Sequence, residues 1–518
     1  MPLQQTESLP KLSANQLGLI QHLVRIAHQL PGDWSFMGAL EPGQEGGDSY
    51  RYQLNAIVCA LASAQYHWTP AYRELYQKAI QQLIQKMLRF DVWGYWELTS
   101  RGGILCDPEQ EELSNGWVDP VIHKNVMYSG PLLNMLYLYE MLYRDGKYHD
   151  QKAICFEYHP LFRGMGSQDF NYSQEQILDA ALKDLKCNDF LGCESEPNLI
   201  SPFCNQYLLL ALMLHDKIHG TLISPEIMKR HKSAWVHKTG LYKKSADDLK
   251  LLPLMYMVRQ ELPVIDSSSA SALAVTMHPW NREYAEYLYM EIVESTVKDF
   301  TDKSKRVDVK VELDLLQNQS GYPDPARMGI SIFGFTLLAV SEMGDKDTLG
   351  GLLQFVEEHF SPTREHGHLY YRRCDDLSSA SYATRLSTNG LIPWAQLNPR
   401  DGLWQIYNRP WDQEQLAAPE VTGINYPSVL VTQARYDSVA KCIKLAFQPG
   451  ETPPPRVEFT IQRWPSRVAL LSLAGENSPI RLDNNIDHQT KSLHVDLPFT
   501  GPLEMTIDTR ADTVMPGN

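Results

Sequence analysis

Apolar positions recur at helical spacing over most of the chain. Ile20, Leu23, Val24 and Ala27 stand at i, i+3, i+4 and i+7, a single stripe that Leu17 and Leu30 extend at either end. Similar periodicity predicts helices near 50–66, 70–89, 129–143, 174–185, 205–217, 224–233, 268–278, 281–298, 329–343 and 346–359. Thr69-Pro70 reads as the N-cap and first residue of the second of these. Pro131 fits the first turn of its helix, where a missing N–H costs little. Gly/Pro-rich turns separate the helices, for example around 41–47 and at 321–325. Many consecutive helices with few strands suggest an α/α toroid around a central cavity.

Past residue 400 the period changes to two. Val457, Phe459 and Ile461 face one way, and Glu458, Thr460 and Gln462 the other. Val468–Leu473 and Leu493–Leu497 follow the same rule, and 12 of the 32 prolines lie beyond residue 400. The expectation is a mainly α domain over 13–400 followed by a β-rich domain, an antiparallel β-sandwich, over 401–518.

Composition narrows the functions. The 518 residues carry a net charge of −15, which disfavours nucleic acid and anionic membrane surfaces as partners. No run approaches the roughly 20 apolar residues of a membrane span. The N-terminal stretch lacks the pattern of a secretory leader, and the eight cysteines include no CxxC pair, so an intracellular, cytoplasmic protein with reduced thiols is expected. GxSxG, the phosphate loop and HExxH are absent, and Gly164-Met-Gly-Ser-Gln-Asp fails the dinucleotide fingerprint at its last glycine. No cofactor or metal is signalled, and on charge a polar or uncharged small molecule is the partner that fits.

Three segments carry candidate chemistry. In the first, Asp33 lies beside Trp34, where apolar surroundings would raise its pKa and suit it to acid/base work; Asp48 or Ser49 reads as the cap of the next helix. In the second, residues 117–140, Trp117, Asn125, Met127, Tyr128 and Asn134 put polar and aromatic groups into an apolar run, where they either staple the core or line a cavity. His123 beside Lys124 reads as solvated. In the third, Cys193 and Cys204 flank a loop leading into a helix near Asn205, with Glu196 close by. A thiol at a helix N-terminus is expected to have a lowered pKa; the alternative is a buried, inert cysteine.

The strings DPVIHKNVMYSG (119–130), LLNMLYLYE (132–140), EPNLISPFCNQYLLLALMLHDKIHG (196–220) and GISIFGFTLLAVSEMGD (329–345) resemble, in order and spacing, the linalool dehydratase/isomerase family. The stretch Asp48–Trp96 resembles its longer, fungal-type members, and 401–518 resembles their β extension. The resemblance implies an (α/α)6 barrel, a central hydrophobic cavity and cofactor-free chemistry on terpenoid alcohols, with neighbouring subunits of a homo-oligomer able to complete one another's sites. It carries the family's loop acid to Asp33 and its second cysteine to Cys204. The family's nearby tyrosine has no clear counterpart. Pro131 stands where the family has histidine, and Ser195 where it has the first cysteine, with Cys193 two residues upstream.

These readings combine into an enzyme of terpenoid-type secondary metabolism, a lyase or isomerase that cyclises, isomerises or dehydrates a hydrophobic small-molecule substrate, a polyene or terpenoid. Asp33, Cys204 and Cys193 are its catalytic candidates; Trp34, Trp117, Asn125, Met127, Tyr128, Glu196 and Asn205 are expected to hold substrate. One alternative is a pericyclase, a [4+2] cyclase working by shape, to which positioning alone contributes up to about 7–11 kcal/mol. Others are a non-catalytic binding descendant and a carbohydrate-active barrel using paired carboxylates.

Overall fold

The computed structural model describes residues 11–39, 41–244, 252–296, 331–372, 384–476 and 478–510. The expected turn at 321–325 and Cys374 lie outside the described residues, as do the outer ends of the helices expected at 281–298 and 329–343. Among the described residues, twelve helices organise the first part: α1 Ala14–Ala27, α2 Tyr50–His67, α3 Glu74–Met87, α4 Val126–Tyr143, α5 Gln174–Cys187, α6 Pro202–His219, α7 Ser224–Lys238, α8 Ala270–Met277, α9 Arg282–Thr296, α10 Ile332–Met343, α11 Lys346–His359 and α12 Ile392–Leu397.

The even-numbered helices close a ring. α2 packs on α4, α4 on α6, α6 on α8, α8 on α10, α10 on α12, and α12 back on α2. The odd-numbered helices lie outside it: α3 against α2 and α4, α5 against α4, α7 against α6, α9 against α8, α11 against α10, and α1 against α12. Sequence pattern follows position. α4 is buried on every face from Val126 to Leu142, whereas α3 buries one stripe, Tyr76, Ala79, Ile80, Leu83, Ile84 and Met87.

Helix starts follow their capping chemistry. Ser13 and Ser173 form capping boxes with Gln16 and Gln176. Ser201 caps α6 through the Cys204 N–H, with Pro202 at the first position. Several expected boundaries move. α3 begins at Glu74 rather than Pro70, because Thr69 donates its hydroxyl to Tyr76 (3.0 Å) instead of capping. α4 begins at Val126, which places Pro131 inside the helix. The α1 stripe ends at Ala27, and Leu30 is exposed. Ser49 is the N-cap of α2 but makes no capping hydrogen bond through its side chain.

Antiparallel hairpins interrupt the helices at Ile154–Tyr158/Gln168–Tyr172 and Pro362–Glu365/His368–Tyr371, and Leu199–Ile200 pairs with Pro253–Met257. The sequence reading left these strands out. The first hairpin turns through Gly164 and Gly166, whose positive φ explains the glycines of the failed dinucleotide motif.

After short helices at Gly402–Asn408 and Gln413–Ala417 come, among the described residues, nine strands: β1 Glu420–Thr422, β2 Val429–Asp437, β3 Cys442–Pro449, β4 Arg456–Gln462, β5 Leu470–Leu473, β6 Ile480–Arg481, β7 Ile486–Asp487, β8 Ser492–Pro498 and β9 Leu503–Asp508. They form two antiparallel sheets, in the orders β6-β5-β9-β3-β2 and β7-β8-β4-β1. Val457, Phe459 and Ile461 point inward as the alternation requires, and Phe459 meets Phe447 of the other sheet edge to face at 5.3 Å. Backbone bonds Leu12 N–H to Thr432 O (2.9 Å) and Ala71 N–H to Ala434 O (2.9 Å) join the sheets to the helical part.

Candidate active site

The first turns of α2, α4 and α6 converge at one end of the ring. From α2, the fully buried Arg51 reaches Met127 Sδ on α4 at 3.1 Å. The next residue, Tyr52, places its hydroxyl 3.2 Å from Cys204 Sγ on α6. Arg51 also donates to the backbone carbonyls of Gln44 and Glu45 (2.9 Å to the latter), which pins the 41–46 loop over the ring end. Its guanidinium lies 4.3 Å from the ring centre of Tyr95 and 4.8 Å from that of Tyr52. Tyr95 in turn donates to Asn125 Oδ1 at 2.8 Å, and Asn125 Nδ2 donates to Pro120 O at 2.8 Å.

Glu196 enters this cluster from the loop before α6. Glu196 is half-buried, but its Oε2 is fully buried and finds no hydrogen-bond partner among the described residues. Burial pushes its pKa from 4.5 up to about 7; Arg51 opposes the rise and Glu45 adds to it. Glu196 also acts on Cys204. Burial first, and then the Glu196 charge, push the Cys204 thiol up, although Tyr52, Ser201 and Ser195 hydrogen-bond to it in the opposite sense. The lowered thiol pKa expected from the helix N-terminus is therefore overturned: Cys204 is a neutral thiol. Ser195, where the family has a cysteine, stands within reach of Cys204 and accepts the Ser201 N–H at 3.3 Å.

Aromatic rings continue the wall from this cluster. Phe203 lies 6.4 Å from Tyr52, 5.4 Å from Tyr207 and 5.2 Å from Phe335 of α10, centre to centre. Phe203 remains half-buried in these surroundings.

Other expected residues sit elsewhere. Asp33 turns back on its own loop: Oδ1 accepts from Ser35 N (2.9 Å) and Ser35 Oγ (2.6 Å), and these bonds hold its pKa below the usual carboxylate value. The expected raised pKa is thus reversed. Trp34 stacks on Tyr50 at 4.2 Å under the Lys86 ammonium. Cys193 donates its thiol to Ala181 O on the outer helix α5 at 3.1 Å, and burial pushes its pKa well up, so its catalytic assignment does not fit this geometry. Tyr128 donates to Met87 O at the end of outer helix α3 (2.7 Å), pointing away from the ring interior. Asn205 is consumed as a staple, accepting from Cys193 N (2.8 Å) and donating to Cys193 O (3.0 Å) and Ser201 O (2.9 Å). Trp117 stacks on His123 at 4.3 Å and meets Trp96 edge to face, in the segment that leads to α4.

Of the residues named from sequence, the structure brings together Cys204, Glu196, Met127 and Asn125. Sequence reasoning missed Arg51, Tyr52 and Tyr95. The available signal was a lone arginine in the otherwise apolar run that becomes α2, where a charge persists only if it is held by many acceptors.

The raised Glu196 pKa makes a stability prediction. In the unfolded chain the carboxyl titrates near 4.5 and in the folded one near 7. The stabilisation due to the proton is complete below pH 4.5 and is lost as pH rises through about 7. In denaturant titrations, Glu196→Gln should gain stability on the wild type between about pH 4 and about pH 8, with the gain levelling off above that. A difference independent of pH would place the titration elsewhere.

Among the described residues, no three His, Cys, Asp or Glu come together in a metal-holding group, and no helix is long and apolar enough to cross a membrane. Two solved structures are similar to the chain. Endoglucanase CelQ from Clostridium thermocellum, complexed with cellotetraose, is 10% identical, with a TM-score of 0.34 over 97% of this chain and 93% of that one. A GH127 beta-L-arabinofuranosidase from Geobacillus stearothermophilus T6 is 12% identical, with a TM-score of 0.22 over 96% of this chain and 76% of that one. The family description "linalool dehydratase/isomerase" matches residues 51–377, more than half of the chain and the span that holds Arg51, Tyr52, Tyr95, Glu196 and Cys204. The chain belongs to the linalool dehydratase/isomerase family, whose enzymes are of the isomerase and lyase type.

Proposed function

We propose that the ring of six helices inside six others is an (α/α)6 toroid, and that its N-terminal end dehydrates or isomerises a terpenoid-like allylic alcohol without redox chemistry. The observation that carries this reading is Glu196: its Oε2 is buried with no hydrogen-bond partner among the described residues, its pKa is pushed up to about 7, and its charge is felt by the Cys204 thiol and the Tyr52 and Tyr95 phenols. A group with that pKa can give and take a proton at neutral pH.

The steps follow from the residues present. Protonated Glu196 donates to the substrate hydroxyl. The C–O bond breaks, its electron pair leaves with water, and an allylic cation remains. The faces of Tyr52, Phe203, Tyr207 and Phe335 supply negative quadrupole to that cation. The Glu196 carboxylate then removes a proton from the adjacent carbon, and the C–H pair becomes the new double bond. Attack of water at the other allylic carbon, followed by proton loss to Glu196, gives the isomer instead. Cys204 and Tyr52, both neutral, hydrogen-bond the oxygen in flight.

The test is incubation of the full chain with a panel of allylic terpenoid alcohols in deuterated water, with products followed by gas chromatography and mass spectrometry. The expected result is an alkene or transposed alcohol at unchanged oxidation level, with deuterium incorporated into re-formed substrate. No conversion across the panel, or alcohol re-formed from the alkene without carbon-bound deuterium, defeats the proposal.

A further inference from the structure

A second cleft lies far along the chain from Glu196, between the C-terminal end of α2, the 399–419 connection and β2. Its volume is about 740 Å³, within the roughly 300–1,000 Å³ of small-molecule sites. One wall is flat and aromatic: Tyr66 stacks on Trp411 with ring centres 6.0 Å apart and planes 18° apart. Tyr436 of β2 lines the same space.

The charge of this cleft opposes that of the whole chain. Arg73, Arg409 and Arg435 line it, against one lining carboxylate, Asp412, which is occupied in capping a helix through the Gln415 N–H (2.8 Å). Arg73 is matched by Glu420 at 3.6 Å and by the carbonyls of Leu416 and Gln415. Arg409 and Arg435 make no ion pair among the described residues. Arg435 is half-buried and donates to the His67 carbonyl; burial pulls its pKa down. Arg409 lies over Trp404 at 5.1 Å. A half-buried guanidinium without a counter-charge is costly, and a bidentate carboxylate offsets that cost.

We infer that this cleft is a binding site for a small carboxylate with a flat apolar body, its ring against the Tyr66–Trp411 wall and its carboxylate on Arg435 and Arg409. The site is separate from the proposed active site and does not depend on that reading.

The test uses 2-naphthoate and its neutral counterpart 2-naphthamide, titrated into the full chain by calorimetry and tryptophan fluorescence. Naphthoate should saturate and bind at least about tenfold more tightly than the amide, as charge-assisted hydrogen bonds to guanidinium imply. Arg435→Gln and Arg409→Gln should each weaken naphthoate by about tenfold and leave the amide unchanged. Among the described residues Arg409 makes no side-chain hydrogen bond, so its variant keeps the test valid if Arg435→Gln loosens the contact with His67. Equal binding of the two probes, no saturation by naphthoate into the millimolar range, or indifference to both substitutions overturns the inference.

Discussion

Glu196→Gln is expected to lower kcat on an allylic terpenoid alcohol by about 10²–10⁴-fold, the usual contribution of a general acid or base. Glutamine keeps the shape and can still hydrogen-bond, but it cannot deliver a proton. The same loss should appear in kcat/KM, because the proton is needed in the transition state and not for binding. With a pKa near 7, the wild-type enzyme should lose activity as pH rises through that value when proton donation limits the rate, and Glu196→Gln should abolish that limb. Asp33→Asn gives the contrast. Asp33 is kept ionised by Ser35 and makes its contacts within its own loop and with Lys86, so within one chain its loss should cost much less. A larger effect at Asp33 than at Glu196 would mean that a neighbouring subunit's loop supplies the acid. Near-normal turnover in both would leave the shape-driven [4+2] reading.

The elements of this fold were readable because periodicity reports burial directly. α11 occupies 346–359 as its pattern predicts, and β4 alternates residue by residue. Side-chain direction in the loops was not readable. Cys193 and Ser195 are two residues apart, yet one thiol bonds outward to α5 while Ser195 is within reach of Cys204. Spacing proposed both cysteines equally; backbone geometry chose between them. The helix expected at 129–143 begins at Val126 and so takes in Tyr128, and only the fold could show that its hydroxyl reaches outward to Met87. The pKa expectations failed for a related reason. A helix N-terminus lowers a thiol's pKa, yet for Cys204 burial and the neighbouring Glu196 dominate, and neither is visible in sequence spacing.

The contrast between Glu196 and the fully buried Glu342 supports the second large prediction. Glu342, near the end of α10, is fully buried and accepts from His278 Nδ1 (2.7 Å), Asn398 Nδ2 (2.9 Å), Leu403 N (2.8 Å) and Trp404 N (3.0 Å). These donors come from the end of α8 and from the chain following α12, so one carboxylate ties three neighbouring inner helices together at their C-terminal ends. Glu196, at the end of the ring where the inner helices begin, has no such donor on its buried Oε2 among the described residues, as the proposed proton exchange requires. Glu342→Ala should therefore destabilise the chain by about 3–5 kcal/mol, the cost of removing one side of a buried, fully bonded charge. Four donors would lose this acceptor at once; the His278 ring and the Leu403 N–H are buried, while Asn398 Nδ2 keeps its bond to the Pro399 carbonyl (3.0 Å). Glu342→Gln should cost less, since one oxygen still accepts. Denaturant titration of both variants gives the measurement, and activity per folded molecule should remain near wild type, because Glu342 touches none of the groups around Glu196. A cost below about 1 kcal/mol for alanine would show that the ring does not rely on this tie.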